Sequence, residues 1–537
     1  MKSYMFKHKG WLSLSFFTII LASAVEIFKA YVLQQVIDST TDMNGNRLKS
    51  LVILVTVFIL GTVLIMIVES LCTNRFIQKC MFSIKNKLYG RITEKNIQKF
   101  NENNTSDYIS ALTNDMNTIE SDYFQNLISV LEYIVIFLFA FIAIFHIHYY
   151  FILFIGITAW IPLIINGLMS NSITKRKIEF SDQISSFTGK IKDIFMGFET
   201  IKTFNINPVM KENFKTANKE LEEKRFQSKF INDTCERLSF GGSLIIWLGS
   251  LLLGYVLVLQ GKLTVGYVLG ASQLLNNISN PLYRLSFLIN KMNSSKVLLK
   301  KRMEQTKERN FTEETVSKKD FQDKIEFRNA GLKIGGKEIL KEIHLTFEKG
   351  KKYAIVGDSG SGKSSLIKLL MGYYEDYSGS ILIDGIELSR IEEEEWYNVV
   401  TMVAQNVYLF NESIKSNITL FHDYKQEEID EAIRVSHSSQ FINALPENID
   451  TYVNESGKNF SGGECQRISI ARALIRKTPV ILLDEATSAL DRTTAIDIEK
   501  SILGLEGVTV IAVTHKIHEE TRNLYDNVIT VSAGTTH

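Results

Sequence analysis

Gly357-Asp358-Ser359-Gly360-Ser361-Gly362-Lys363-Ser364 is the stretch that decides the fold of the C-terminal part of the chain. A strand-like run, residues 352–356, precedes it, and Ser365 opens an apolar-periodic run typical of a helix. The glycines let the loop turn its N–H groups toward phosphate, and the helix N-terminus favours negative charge there. We therefore predict a phosphate loop that binds ATP or GTP through residues 357–365, with Lys363 at the β- and γ-phosphates and Ser364 on Mg²⁺.

A second motif lies downstream, where the continuous apolar run 480–483 ends in Asp484-Glu485. The carboxyl edge of a parallel sheet is the usual position for ligand chemistry. We expect Asp484 to hold Mg²⁺, directly or through water, and Glu485 to orient or deprotonate an attacking water. The simpler alternative is an acidic pair that caps a strand, and the phosphate loop in the same region disfavours it.

Ser461-Gly462-Gly463 forms a third element in front of the helical stretch 465–476. Alone, this tripeptide is a weak turn signal. In front of a helix, its free N–H groups and the hydroxyl of Ser461 favour an anion. These three residues are therefore candidate phosphate contacts.

Six apolar stretches in the N-terminal half are long enough to cross a bilayer, which takes about 20 mostly apolar residues in a helix. A soluble all-α core would instead show a polar face at a period near 3.6, and residues 51–68 show almost none. We therefore predict an α-helical transmembrane bundle. The predicted spans are residues 11–37, 51–72, 124–147, 149–169, 238–259 and 265–292.

These patterns divide the chain into a transmembrane domain over residues 1–305, a linker over 306–320 and an α/β P-loop NTPase domain over 321–537. The loops after the second and fourth spans are long and rich in Lys and Arg, whereas the other three are short and carry few basic residues. Positive charge near spans stays in the cytosol. We therefore expect a multi-pass protein of the cell membrane with both termini and the ATPase domain cytoplasmic.

Charge and cysteine content exclude other classes. The 60 Lys plus Arg balance 59 Asp plus Glu, which disfavours a nucleic-acid partner that would need a clustered basic face. The cysteines have neither zinc-ligand spacing nor the density of a disulfide scaffold, so we expect reduced thiols. They are Cys72, Cys80, Cys235 and Cys465.

Together the motifs resemble one family, the ATP-binding cassette (ABC) transporters of the exporter type, over nearly the whole chain. Ser461-Gly462-Gly463 looks like the family signature, and Gln405 looks like the Q-loop glutamine. Asp491 closes a run that resembles the D-loop, Ser488-Ala489-Leu490-Asp491, and His515 resembles the switch histidine. Lys/Ile/Asn-rich usage with few prolines suggests a bacterial protein.

The resemblance implies an ATP hydrolase coupled to transport, with ATP and Mg²⁺ as cofactors. In this family the phosphate loop of one subunit and the signature of the other sandwich each ATP, so the chain would work as a dimer. Gln405 would then contact Mg²⁺ and sense the membrane helices, while His515 would contact the γ-phosphate. A second copy of the chain is the simplest partner, and a heterodimer stays open.

The membrane half also looks like the family. Residues 106–115 resemble the first coupling-helix region, and residues 197–204 resemble the run that precedes the second. Long cytoplasmic helical loops fit this resemblance. They would carry movement of the ATPase domains into the spans.

Three features depart from the family pattern. Ile334 occupies the position of the aromatic residue that stacks on adenine, although a shifted alignment would give that role to Tyr353 or another aromatic. Glu464 stands where the signature usually has glutamine, and Cys465 follows it. The chain also stops at His537, short of the customary C-terminal helix. We expect the phosphate chemistry to be intact and the base preference to be altered.

The substrate has to be inferred from the spans. Glu26, Lys29 and Glu132 are ionisable, and Asn276, Asn277 and Asn280 gather before Pro281. Charge inside a membrane is a pathway hypothesis by default, and the simpler account is that Glu26 and Lys29 neutralise each other at i,i+3.

Family analogy leaves peptide, drug and lipid as substrates, with a weak preference for peptide. About ten residues precede the first span, so we expect no N-terminal peptidase domain. Membrane lipid is the surrounding partner. An importer built on the exporter fold and an ATP-gated channel remain alternatives to export.

Overall fold

The computed structural model describes residues 1–41, 48–102, 105–305, 316–454 and 457–536. The chain divides into two compact units. Unit 1 comprises Met1–Glu94 and Asn104–Lys307, and unit 2 comprises Lys95–Asn103 and Glu308–His537. Residues 306–315 of the predicted linker lie outside the described residues.

Unit 1 is helical throughout the part of the chain that the structure describes. Its helices are α1 Lys2–Lys7, α2 Lys9–Thr41, α3 Leu48–Thr93, α5 Thr105–Leu112, α6 Asn114–Ile119, a π-helical turn Glu120–Gln125, α7 Asn126–Ile147, α8 Tyr149–Thr158, α9 Trp160–Met196, α10 Phe198–Thr203, α11 Asn207–Leu259 and α12 Val265–Gln305, whereas α4, Ile97–Asn101, belongs to unit 2.

Helical stretches long and apolar enough to cross a membrane coincide with the first, second, third and fifth predicted spans. Among the described residues these stretches are Lys9–Ser39, Leu48–Thr93, Asp107–Ile147 and Asn207–Leu259. The fourth predicted span is divided, because α8 ends at Thr158 and α9 begins at Trp160. The sixth lies in α12, which contains Pro281 and is the most polar of the predicted spans.

Close contact between α2 and α12 requires small residues on α12. The Gly266 N–H donates to the Asp38 Oδ1 atom of α2 at 3.0 Å. A Cβ atom at Gly270 would lie 3.2 Å from the carbonyl oxygen of Ala30. These two glycines therefore let the helices approach, and the neighbouring core contains Leu274 and Ile278.

Unit 2 contains two sheets. The first is antiparallel, with the strand order β2-β1-β4-β5, and the second has the order β10-β9-β3-β8-β7-β6 with β9, β3, β8, β7 and β6 parallel. The strands are β1 Lys324–Ile334, β2 Lys337–Glu348, β3 Lys352–Val356, β4 Tyr377–Ile383, β5 Ile386–Glu387, β6 Val400–Val403, β7 Val480–Asp484, β8 Thr509–Val513, β9 Asn527–Ser532 and β10 Thr535–Thr536.

Helices of unit 2 pack against these sheets and against one another. They are α13 Lys363–Leu370, α14 Glu393–Val399, α15 Ile414–Thr419, α16 Gln426–Val435, α17 Ser439–Asn443, α18 Gly462–Leu474, α19 Arg492–Leu503 and α20 Glu519–Arg522. One core joins the two sheets through α13, and a second lies among α15, α16 and α18. This is the α/β organisation that the phosphate-loop motif predicts.

The short helix α4 is held within unit 2 by polar contacts with Glu375. Asn96 caps α4 by accepting from the Lys99 N–H at 2.8 Å, and its side-chain amide donates to Glu375. The Lys99 ammonium lies 3.1 Å from the second Glu375 oxygen, and the Glu375 N–H donates to the Gln98 side chain at 3.1 Å. Residues 106–115, which resemble the first coupling-helix region, follow this segment and lie in unit 1.

The start of the cassette is anchored at Asp384. The Lys318 ammonium lies 2.8 Å from the Asp384 carboxylate, and both side chains are nearly buried. Burial raises the pKa of Asp384, but the Lys318 ammonium and the N–H groups of Gln322, Asp323 and Lys324 outweigh it, so the pKa falls below its usual range. All four cysteines are free thiols.

Candidate nucleotide site

Neighbouring parallel strands bring the predicted site residues to one edge of the second sheet. Strands β3, β8, β7 and β6 lie side by side and run in the same direction. The phosphate loop follows β3, His515 follows β8, Glu485 follows β7 and Gln405 follows β6. Residues distant in sequence therefore meet where parallel strands end, as the sequence predicts.

The phosphate loop has the backbone shape that its glycines predict. Gly362 immediately precedes α13 with φ of +106°, and a Cβ atom there would lie 2.8 Å from Leu340 Cδ2. The Lys363 ammonium donates to the carbonyl oxygens of Gly357 and Asp358, each at 2.8 Å. The lysine therefore uses hydrogen-bond acceptors of its own loop. When nucleotide binds, phosphate oxygens would replace these carbonyls as acceptors.

Ser361 supplies an independent sign that the loop is built for an anion. Its hydroxyl is buried and has no hydrogen-bond partner among the described residues. A buried hydroxyl without a partner costs about 1 to 3 kcal/mol. A phosphate oxygen in the loop would remove that cost, so the loop fits the ligand that the sequence predicts.

Ser364 and Asp484 form the oxygen pair that the sequence assigns to Mg²⁺. The Ser364 hydroxyl donates to the Asp484 Oδ1 atom at 2.8 Å, and Asp484 is 3 % exposed. Burial raises the pKa of the Asp484 carboxyl, partly offset by the Ser364 hydrogen bond. Oxygen ligands of this kind suit Mg²⁺, and the cation would favour the ionised carboxylate.

Glu485 lies between Gln405, which is predicted to contact Mg²⁺, and His515, which is predicted to contact the γ-phosphate. Its Oε1 atom is 2.8 Å from His515 Nε2, and its Oε2 atom accepts from the Gln405 amide at 2.7 Å. The backbone of Glu485 is left-handed, with φ of +50°, and its N–H donates to the Val513 carbonyl at 3.0 Å. An unusual backbone held by a neighbouring strand aims this carboxylate, which is typical of functional positions.

Two predicted site residues make contacts other than those the sequence suggests. The Gln405 amide points to Glu485 and not to the Ser364–Asp484 pair. Asp491 caps α19 by accepting from the Thr494 N–H at 3.0 Å. Hydrogen bonds from the Thr493 hydroxyl and from Thr494 hold the pKa of Asp491 far below its usual range.

The predicted signature forms the N-terminus of α18 and is capped by its own glutamate. The Ser461 hydroxyl donates to Glu464 Oε2 at 2.8 Å, and the Ser461 N–H donates to the same oxygen at 2.8 Å. The Glu464 N–H in turn donates to the Ser461 hydroxyl at 3.3 Å. A phosphate that bound here would compete with Glu464 for the hydroxyl hydrogen.

Ile334 and Tyr353 differ in their access to a nucleotide. Ile334 ends β1, pairs with Lys337 and is 42 % exposed. Tyr353 is buried, its ring lies 4.9 Å from that of Phe347, and its hydroxyl accepts from the Glu348 N–H. The alternative that Tyr353 stacks on the base is therefore wrong, because its ring belongs to the core.

Charged residues of unit 1 include pairs that the sequence predicted and others that it missed. Lys29 and Glu26 form an ion pair of 2.9 Å, which confirms their mutual neutralisation. On α12, Arg284 donates to the Tyr133 hydroxyl at 3.3 Å, and Lys291 lies 3.5 Å from Asp122. Both basic residues lie inside the sixth predicted span, and apolar length alone gives no sign of their partners.

A membrane-spanning helical bundle and a P-loop ATPase cassette in one chain define an ATP-driven membrane transporter. Residues 12–282 match the family described as the ABC transporter transmembrane region, and residues 340–488 match the family described as ABC transporter. The chain therefore belongs to the ABC transporter family, as an exporter-type half-transporter that couples ATP hydrolysis to export. The family resemblance and the fold class predicted from the sequence are confirmed.

Relatives along most of the chain are bacterial. The chain is 27 % identical over 546 residues to the ATP-dependent lipid A-core flippase of Yersinia pestis bv. Antiqua, covering 98 % of this chain and 91 % of the relative. It is 26 % identical over 473 residues to the fatty acid ABC transporter ATP-binding/permease protein of Mycobacterium bovis, covering 86 % and 73 %. The structure of a bacterial Atm1-family ABC exporter with ATP bound matches the fold with a TM-score of 0.82 at 20 % identity, covering 98 % of this chain and 95 % of that chain.

We expect Ile334→Tyr to raise the affinity for ATP by about fivefold, because an aromatic ring adds base stacking of about 1 to 3 kcal/mol. The hairpin that carries Ile334 reaches the phosphate loop, since the carbonyl of Ile339 lies 3.2 Å from a Cβ atom placed on Gly362. The measurement is the nucleotide Kd of the full-length protein for ATP and GTP. Ile334→Val is the matched control, and equal Kd values for both variants would contradict the assignment.

We expect Glu464→Gln to raise the ATP affinity of the full-length protein by about two- to fivefold. A carboxylate at a helix N-terminus contributes about 0.3 to 1 kcal/mol there, and phosphate would have to displace it. Glutamine keeps the acceptor of the cap but carries no charge. Glu427→Gln removes the same charge from the first turn of α16 and should leave the Kd unchanged. An unchanged or higher Kd for Glu464→Gln would show that the carboxylate does not oppose phosphate.

Proposed function

We propose that two copies of this chain form an exporter with two ATP sites at the subunit interface. The observation that supports a homodimer is that one chain carries every predicted part of a working site. These parts are Lys363, Gln405, Ser461, Glu485 and His515. No degenerate residue in this set calls for a different partner chain.

In each proposed site, the phosphate loop and Lys363 would bind the phosphates. Ser364, Asp484 and Gln405 would hold Mg²⁺, which would supply positive charge to neutralise the phosphate oxygens. Glu485 then orients the attacking water and accepts its proton, and His515 keeps the carboxylate in place and contacts the γ-phosphate. Positioning and charge stabilisation account for most of the catalysis of phosphoryl transfer.

The signature would complete the site of the partner subunit. Within the chain, Gly463 lies against the D-loop, since its Cβ position would be 3.2 Å from the Ala489 carbonyl. The hydroxyl of Ser461 is exposed at the start of a helix of 13 residues, where a phosphate of another subunit can reach it. This arrangement supports the cross-subunit sandwich that the family resemblance implies.

We infer that the substrate is an amphiphile with an anionic group. Arg284 lies on α12 within the sixth predicted span and is exposed, whereas Lys291 on the same helix is paired with Asp122. Basic side chains inside a span pair with anions or mark a pathway. The relatives are named for lipid A-core and for fatty acid, which are both anionic amphiphiles. An anionic amphiphile is therefore favoured over the peptide that family analogy weakly favours, and the vesicle experiment below includes a peptide for comparison.

Basic loops support a cytoplasmic position for both termini and for the cassette. The polar part of the stretch from α8 to α11 is rich in basic residues. Among them are Lys175, Arg176, Lys177, Lys224 and Arg225. Retention of positive loops in the cytosol then gives the orientation. ATP from the cytosol would drive the substrate outward through the cell membrane.

A mixed dimer of one Lys363→Ala chain and one Ser461→Arg chain tests the sandwich. Cross-subunit sites place both defects in one site and leave the other intact, so we expect one high-affinity ATP per dimer, measured by equilibrium binding. Each homodimer of a single variant should bind weakly at both sites, because loss of the Lys363 charge or insertion of an arginine affects both. A mixed dimer with two defective sites would contradict the sandwich.

Inside-out vesicles test substrate class and direction together. We expect ATP-dependent loading of a fluorescent acidic phospholipid, at least fivefold above loading of a neutral lipid, a peptide or a cationic dye. Glu485→Gln should bind ATP and load nothing, because its amide cannot accept the proton of the attacking water. Arg284→Ala should reduce lipid loading. The control Lys262→Ala, which removes a basic residue from the loop before α12, should leave lipid loading unchanged.

Peptide loading in the same vesicles would replace the lipid assignment. ATP-dependent release of a preloaded substrate would indicate import. Ion flux that exceeds ATP turnover would indicate a channel.

A further inference from the structure

Gln466 is a buried polar side chain to which none of the predicted motifs assigns a role. It lies in α18, three residues after Gly463, and is 2 % exposed. Its amide nitrogen donates to the Glu485 carbonyl at 3.3 Å and to the Ser488 hydroxyl at 3.4 Å. Its amide oxygen accepts from the Ala489 N–H at 3.0 Å.

These hydrogen bonds join two parts of the chain that act at different ATP sites in the proposed dimer. The N-terminus of α18 carries the signature, which would contact the ATP held by the partner subunit. Glu485 would act on the ATP held by its own phosphate loop. Gln466 therefore connects the contact surface of one site with the backbone that aims the carboxylate of the other.

Around Gln466, the start of α18 packs directly against the turn formed by residues 485–489. A Cβ atom at Gly462 would lie 3.6 Å from the Ala489 Cβ atom, and the Ser488 N–H donates to the Glu485 carbonyl at 3.1 Å. The start of α18, the turn 485–489 and the Glu485 backbone thus form one contiguous unit. A shift of the signature toward a phosphate would displace the groups that donate hydrogen bonds to the Glu485 carbonyl, namely the Gln466 amide and the Ser488 N–H.

We infer that Gln466 is a positioning residue that transmits ATP occupancy at the signature of a chain to Glu485 of the same chain, and so couples the two ATP sites. The inference rests on the proposed two-site dimer. A buried amide with both ends hydrogen-bonded resists independent movement of its partners, because breaking the bonds leaves groups without partners. We class Gln466 as a positioning residue and not as a catalytic one, since its amide is engaged by three protein groups, the Glu485 carbonyl, the Ser488 hydroxyl and the Ala489 N–H.

Gln466→Met tests the coupling, because methionine has a similar length and makes none of the three hydrogen bonds. In the full-length dimer in lipid nanodiscs, we expect the wild type to hydrolyse ATP with a Hill coefficient above 1.3. The variant should bind ATP within twofold of the wild-type Kd, with a Hill coefficient of 1.0 and a kcat lowered about tenfold. Gln440→Met, the same change at an exposed position of α17, should match the wild type.

A merely structural role would lower the melting temperature and kcat but leave the Hill coefficient unchanged, and that result would overturn the inference. A wild-type Hill coefficient of 1.0 would overturn it as well. If Gln466→Met does not fold, Ser488→Ala removes one hydrogen-bond partner of Gln466 and should by itself lower the Hill coefficient. An unchanged Hill coefficient in Ser488→Ala would also overturn the inference. Failure of the proposed dimer would be seen in a separate experiment. In that case the mixed dimer of one Lys363→Ala chain and one Ser461→Arg chain would have no intact ATP site.

Discussion

The direction shared by four neighbouring strands is the constraint on which the cassette depends. Parallel strands must end at the same edge of a sheet, so the loops after β3, β8, β7 and β6 converge there whatever lies between them in the sequence. Burial of these strands keeps the edge rigid, since β7 and β8 are buried along their whole length. The polar groups at this edge can therefore be held in geometries, such as the left-handed backbone of Glu485, that an isolated loop would not keep.

The sequence predicted the parts of the cassette that are local and the parts that follow from strand direction. A phosphate loop is contiguous, and Asp484, Glu485, Gln405 and His515 each follow an apolar run. The role of Gln466 was not predicted, because a glutamine inside a helix has no period or spacing of its own; only its burial beside the D-loop distinguishes it. Transmembrane helices were predicted from apolar length, which explains why the break at Thr158 was missed. Periodicity also gives no sign of α4, which is five residues long and held by polar contacts.

We expect binding of nucleotide by this cassette to depend on phosphate contacts more than on contacts with the base. The loop offers the buried hydroxyl of Ser361, the Lys363 ammonium and the Ser364–Asp484 pair, whereas the surface beside β1 offers the aliphatic Ile334. At the signature, Glu464 already occupies the groups that would contact phosphate. In the proposed dimer, affinity would then depend on Mg²⁺ and on the completeness of the phosphate contacts, which would link nucleotide binding to association of the two cassettes.

The docked helix α4 shows that the border between the two units is not a single point in the chain. The polypeptide leaves unit 1 after Glu94, contributes Asn96, Gln98 and Lys99 to the surface around Glu375, and returns to unit 1 after Asn103. A cassette cut from the chain at the linker would therefore lack part of its own structure, and its Glu375 would lose both a cation and two amide partners. Unit 2 is therefore built from two separate parts of the chain, and its complete set of contacts needs the segment Lys95–Asn103 as well as the C-terminal part.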